Sequence, residues 1–139
     1  WAGVFSPDAR WIAYSSTETS GANIYVRPFT AAGPSGVPAV GQGKWQVSRD
    51  GGNWAKWVGE EIIFNDIPAG TTQYAARVKA GGDAFESETP ERLFAGPGTA
   101  AEWGISPDGQ RFLLAVPQVQ QAGQAPISVV LDWPALVKK

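Results

Sequence analysis

The chain has 139 residues, 43% of them hydrophobic and 17% charged, which fits one compact domain with a core of its own. Eleven basic residues against thirteen acidic ones leave a net charge of −2, a poor match to a nucleic-acid surface built on clustered Lys and Arg. The complete absence of His and Cys excludes an imidazole base, a thiol nucleophile, a disulfide and a Cys/His zinc site, and no metal or cofactor is expected.

β-branched and aromatic residues gather in short runs separated by Gly- and Pro-rich stretches, the pattern of strands and loops. The first unit predicts strands over 1–5, 10–16, 23–29 and 43–48. Between its first two strands stands Ser6-Pro7-Asp8-Ala9, where Pro presets φ and Asp bonds its own backbone, so Asp8 reads as a turn former rather than an acid or ligand. The second unit predicts strands over 53–58, 61–65, 72–79 and 91–95. Its first turn, at Gly59, is shorter by two residues and predicts a tighter hairpin. The third predicts strands over 101–106, 111–116 and 126–133, with Ser106-Pro107-Asp108-Gly109 at its turn. No helix of ten residues or more is expected, because Pro and Gly interrupt every candidate.

The units repeat. Tyr14, Phe64 and Leu114 lie fifty residues apart within Trp11-Ile12-Ala13-Tyr14, Glu61-Ile62-Ile63-Phe64 and Arg111-Phe112-Leu113-Leu114. Ile24-Tyr25-Val26-Arg27 and Tyr74-Ala75-Ala76-Arg77 share that offset, which would put Arg27 and Arg77 at one repeat position, most simply in ion pairs between blades and otherwise lining a pocket. Grouped short strands at a period of forty to fifty residues are the mark of propeller blades. The expected fold is therefore all-β: about three four-stranded antiparallel blades, the last incomplete, divided as 1–50, 51–98 and 99–139 within a single propeller segment.

Phe5-Ser6-Pro7-Asp8-Ala9-Arg10-Trp11-Ile12-Ala13-Tyr14, then Ile24-Tyr25-Val26-Arg27-Pro28-Phe29, then Lys44-Trp45-Gln46-Val47-Ser48 closely resembles the TolB-like, or WD40-like (PD40), β-propeller repeat. The ending, Ser106-Pro107-Asp108-Gly109 followed by Ile127-Ser128-Val129-Val130-Leu131-Asp132-Trp133, is similar to the last blades of bacterial propellers, including those fused to serine/threonine kinases. The resemblance covers nearly the whole chain. It implies a propeller fold and a periplasmic or cell-envelope role, but assigns no ligand.

The uncharged run from Leu113 to Leu131 carries four Gln and two Pro and is not expected to enter a membrane. The chain opens on Trp1 rather than Met, with no signal-peptide pattern near it, and the start reads as processed or truncated. Gly96-Pro97-Gly98-Thr99-Ala100-Ala101 imitates a dinucleotide fingerprint, yet strand and turn residues follow where a helix is needed. Asp83, Glu86, Glu88 and Glu91 read as a solvated acidic loop rather than a calcium site. Of the seven tryptophans, Trp11, Trp57 and Trp133 are expected in the core, while Trp54 and Trp103, near the entries of innermost strands, are the candidate binding residues at a channel mouth, with packing the leading reading for both.

Too few blades stand here to close a ring, so the expected partner is the chain itself, two copies making six blades, with an unidentified protein or small molecule as ligand. The expectation is thus a noncatalytic β-propeller binding module. The alternatives are a propeller hydrolase or lyase working with carboxylates, and a purely structural half-propeller or a fragment of a sensor-kinase propeller.

Overall fold

The computed structural model describes residues 3–19, 21–33, 35–67, 70–82, 84–96 and 103–115, with 127–130 as backbone. Trp1 and Trp133 lie outside them. Every regular element among the described residues is a β-strand, and none is a helix. The strands form three antiparallel sheets, two of five strands and one of three, of the sort that serve as propeller blades.

The first sheet runs β1 (Gly3–Phe5), β2 (Trp11–Thr19), β3 (Gly21–Thr30), with a fourth position divided between β4 (Ala39–Val40) and β5 (Trp45–Gln46). β4 pairs with the end of β3, through Phe29↔Val40, and β5 with its middle, through Val26↔Trp45. The second sheet repeats the plan with β6 (Asn53–Val58), β7 (Glu61–Asn65) and β8 (Thr72–Gly81). Its fourth position is divided between β9 (Ala84–Ser87), on the end of β8, and β10 (Glu91–Ala95), on its start. Gly41 and Gly43 fall at the first break and Pro90 at the second, residues that weaken or cannot join a continuous ladder. The third sheet comprises β11 (Trp103–Ile105), β12 (Phe112–Ala115) and β13 (Ile127–Val130).

β4 and β9 had no counterpart among the predicted strands. β4 is only two residues long. β9 lies in the stretch read as an acidic loop, where Glu86 stands on a strand opposite Lys79 and Phe85 opposite Ala80. The alternation of Ala84-Phe85-Glu86-Ser87 satisfies the strand period, and Phe85 decides the outcome because only pairing on β8 buries its ring.

The sheets stack face to face. Trp11, Ala13, Ile24, Val26 and Val47 of the first pack on Ala55, Trp57, Ile62, Phe64, Ala76, Val78 and Phe85 of the second. The second sheet's other face presents Ile63 and Ala75 to Trp103, Phe112 and Leu114 of the third. Side chains alternating along a strand make this double use possible: Ile62 and Phe64 look back to the first sheet while Ile63 looks forward to the third. At the first seam, Phe85 lies 5.6 Å from Trp11, 5.8 Å from Trp45 and 6.2 Å from Trp57, ring centre to ring centre. Gly52, in the connection between the sheets, is equally tied to this approach, since a Cβ there would come within 2.9 Å of both Phe64 and Ser48.

The fifty-residue repeat survives on the second strand of each sheet. Tyr14, Phe64 and Leu114 hold matching places, cross-strand from Tyr25, Tyr74 and Ser128. On the third strand the offset is forty-nine, because Tyr25 corresponds to Tyr74 rather than Ala75. Arg27 and Arg77 are therefore not equivalent: Arg27 lies across from Ile12 and Arg77 across from Glu61. A one-residue slip turns a side chain to the other face, so the shared Arg in the two sequences is not a shared site.

Replacing Phe85 by Ala should cost about 3–5 kcal/mol, since a large ring buried among three tryptophans leaves a cavity they cannot fill. Chemical denaturation followed by tryptophan fluorescence measures this. A loss under about 1 kcal/mol would mean that β9 does not hold the seam.

Candidate functional site

The Ser-Pro-Asp turns are built alike. In the first sheet, Ser6 Oγ donates to Asp8 Oδ1 at 2.6 Å and accepts from the Trp11 amide at 3.0 Å, while Asp8 Oδ1 also accepts the Arg10 amide at 3.1 Å. In the third, Ser106 Oγ donates to Asp108 Oδ1, the Gln110 amide donates to the same oxygen at 3.0 Å, and the Arg111 amide donates to Ser106 Oγ at 2.9 Å. These bonds, the serine hydroxyl first and the backbone amide next, hold both carboxyls below their usual pKa. Asp8 and Asp108 are turn formers, as their sequence context implied. One corner differs: Gly109 sits at φ 73 without strain, whereas Ala9 holds φ 55 despite its Cβ. In the second sheet the turn shrinks to Gly59-Glu60, closed by the Val58↔Glu61 pair with Gly59 at φ 55, the tight hairpin its spacing predicts.

A cleft of about 530 Å³ opens where the Ser6-Pro7-Asp8 turn of the first sheet faces the Gly59 turn and the β8–β9 hairpin of the second. Trp57 and Val78 supply its apolar wall. Among the described residues, Asp8, Glu60 and Glu86 supply three carboxylates and Lys79 the single base. The cleft is consequently an apolar slot with an acidic mouth, shaped by two sheets at once. Among the described residues no group of three or more acidic side chains is placed to hold a metal ion. Asp83 lies outside the described residues, and Glu91 opens β10, so the acidic stretch is a hairpin edge and not one loop.

Trp54 and Trp103 part company. Trp54, 45% exposed, occupies a bulge of β6 between Asn53 and Lys56 and adopts φ 54, a backbone region that bulky residues rarely enter. Its amide donates to Asn53 Oδ1 at 2.9 Å. It stands at the opposite end of β6 from the cleft, beside the Arg49-Asp50-Gly51 connection that borders a groove of about 400 Å³. Trp103 takes a different place. It is only 9% exposed, stacks on Phe112 at 6.0 Å and carries the Lys56 ammonium 5.8 Å from its ring centre. Its indole fills the seam between the second and third sheets, because it follows the alternation that also buries Phe112 and Leu114. Trp11 and Trp57 are core residues as expected.

The arginines act within their own sheets. Arg27 donates Nε and Nη2 to the Gly41 carbonyl at 3.1 and 2.6 Å, and Arg77 lies 3.7 Å from Glu61. Sequence reasoning did not single out Lys79, whose importance lies in what faces it across the seam. No sequence signal for that exists, apart from the alternation of β9 that aims Glu86 outward and Phe85 inward.

No protein-family model matches the chain, and neither does any curated protein or solved structure.

Lowered folded-state pKa values mean that Asp8 and Asp108 stabilise the fold above their unfolded value of 3.8, and that this contribution is lost as pH falls through the lower folded value. The Asp8→Asn/Asp108→Asn variant should therefore lose less stability than the parent between about pH 5 and pH 2.5, as read from melting temperature against pH. Equal slopes would remove the carboxylates from the acid response. Ala9→Gly, relieving a left-handed corner, should stabilise by about 0.5–1 kcal/mol in urea unfolding.

Proposed function

We propose that the chain is a noncatalytic β-propeller module of the TolB-like type that binds a basic segment of a partner protein in the cleft between its first two blades. The cleft itself carries the reading. It joins an aromatic wall at Trp57 to three carboxylates and one lysine, a setting suited to the aliphatic stem and cationic head of Lys or Arg. Its position also fits a binding role, since turns and hairpin ends held by a rigid sheet stack are where propellers meet ligands.

Acid–base catalysis is poorly supported. The chain has no imidazole or thiol, and Asp8 and Asp108 have lowered pKa values, the opposite of what a general acid working near neutral pH requires. Nothing in the geometry favours the hydrolase or lyase reading over binding. The periplasmic or envelope setting belongs to the same proposal and rests on the sequence resemblance alone.

Titration of a tryptophan-free Lys/Arg-rich peptide, followed by calorimetry, tests the reading. Binding should weaken with salt and fall at least about fivefold in Glu60→Lys/Glu86→Lys, given up to about 1 kcal/mol for each exposed charge contact. Trp54→Ala should leave this binding unchanged, because Trp54 occupies the other end of its strand. If the charge reversal has no effect, or Trp54→Ala abolishes binding, the site lies elsewhere.

A further inference from the structure

The sheets present two kinds of face, and each seam joins one kind to the other. On the receding face, Trp57 and Ile62 of the second sheet and Ile105 and Phe112 of the third pack against the sheet before them. Phe5 and Ile12 occupy the same register places in the first sheet, since Phe5↔Ile12, Trp57↔Ile62 and Ile105↔Phe112 are matching pairs. There the face lies open. Phe5 is 48% and Val40 45% exposed, with the Phe29 ring 4.7 Å from Phe5 and paired beside Val40. Lys44 borders this patch, over the Tyr25 ring at 4.8 Å and 2.6 Å from Glu18, so an apolar centre has a charged rim.

The advancing face tells the complementary story. Ala13 and Ile63, fifty residues apart, are fully buried against the following sheet. Leu113, fifty residues further and at the same register place, is 46% exposed. Among the described residues, one end of the stack has no sheet packed on its receding face and the other none on its advancing face. Each open face has the polarity that the internal seams satisfy.

Given the blade reading proposed above, we propose that a second copy of this chain closes both ends: the Leu113 face of each copy seats on the Phe5–Ile12–Phe29–Val40 face of the other. Three sheets per chain then make six, within the four to eight that close a propeller. The contact is head-to-tail and occurs twice about a twofold axis that coincides with the ring's central axis. A head-to-head pair would put two receding faces together, a combination neither internal seam uses.

Sedimentation equilibrium of the 139-residue chain should give twice the chain mass, without growth into longer polymers. Leu113→Asp and Phe5→Asp should each weaken the dimer at least about tenfold, because each buries an unpaired carboxylate at the contact. Both sites are exposed in the single chain, so near-ultraviolet dichroism of the tryptophan cluster should persist. Val40→Asp, on a short edge strand, replaces Phe5→Asp if that variant unfolds. Mixing the Leu113→Asp and Phe5→Asp chains is the decisive arm. A head-to-tail ring recovers one intact contact in every mixed pair, and dimer returns.

A folded monomer at all concentrations, an open polymer, or a mixture that recovers no dimer would overturn the proposal. A folded monomer that still binds the basic peptide would overturn the pairing while sparing the cleft. A dimer that binds no peptide would do the reverse.

Discussion

Aromatic rings wedged between twisted sheets hold this molecule together. Phe85 reaches across from a four-residue strand into Trp11 and Trp45, with Trp57 of its own sheet beside it, and those four rings fix the spacing of the first two sheets. The spacing then places the Ser6-Pro7-Asp8 turn opposite the β8–β9 hairpin, so the cleft exists because the wedge does. Ring pairs of this kind contribute about 0.5–1.5 kcal/mol each beyond the area they bury, and here three of them converge on one side chain.

Two consequences of sheet stacking run through the structure. A middle sheet is covered on both faces, which is why Ile62, Ile63 and Phe64 of β7 are all buried, whereas along β2 the buried Trp11, Ala13 and Ser15 alternate with half-buried Ile12 and Tyr14. Among the described residues, each end sheet has one face that no other sheet covers. The half-covered Phe5 and Leu113 are the visible cost of that position, and they give the stack its direction.

Charge at this molecule works by position rather than by depth. Asp8 and Asp108 are spent on turn geometry, Arg27 on a loop carbonyl and Arg77 on Glu61 of its own sheet. Glu60 and Glu86 face the cleft, carried there by a two-residue turn and by the hairpin edge. Trp54 is a different matter: a bulky residue in a left-handed bulge is strained, and it persists because the flanking ladder fixes the backbone on both sides.

By itself the sequence determined the strand class, the turn chemistry and the second-strand repeat, because alternation, Ser-Pro-Asp and a fifty-residue period are local properties of the chain. It also excluded His and Cys chemistry outright. Tertiary structure alone decided that Arg27 and Arg77 differ, that Trp103 packs on Phe112, and that Phe85 turns an acidic stretch into a strand. Each of those outcomes depends on which sheet face meets which neighbour, and a one-residue change of register, silent in the sequence pattern, reverses the answer.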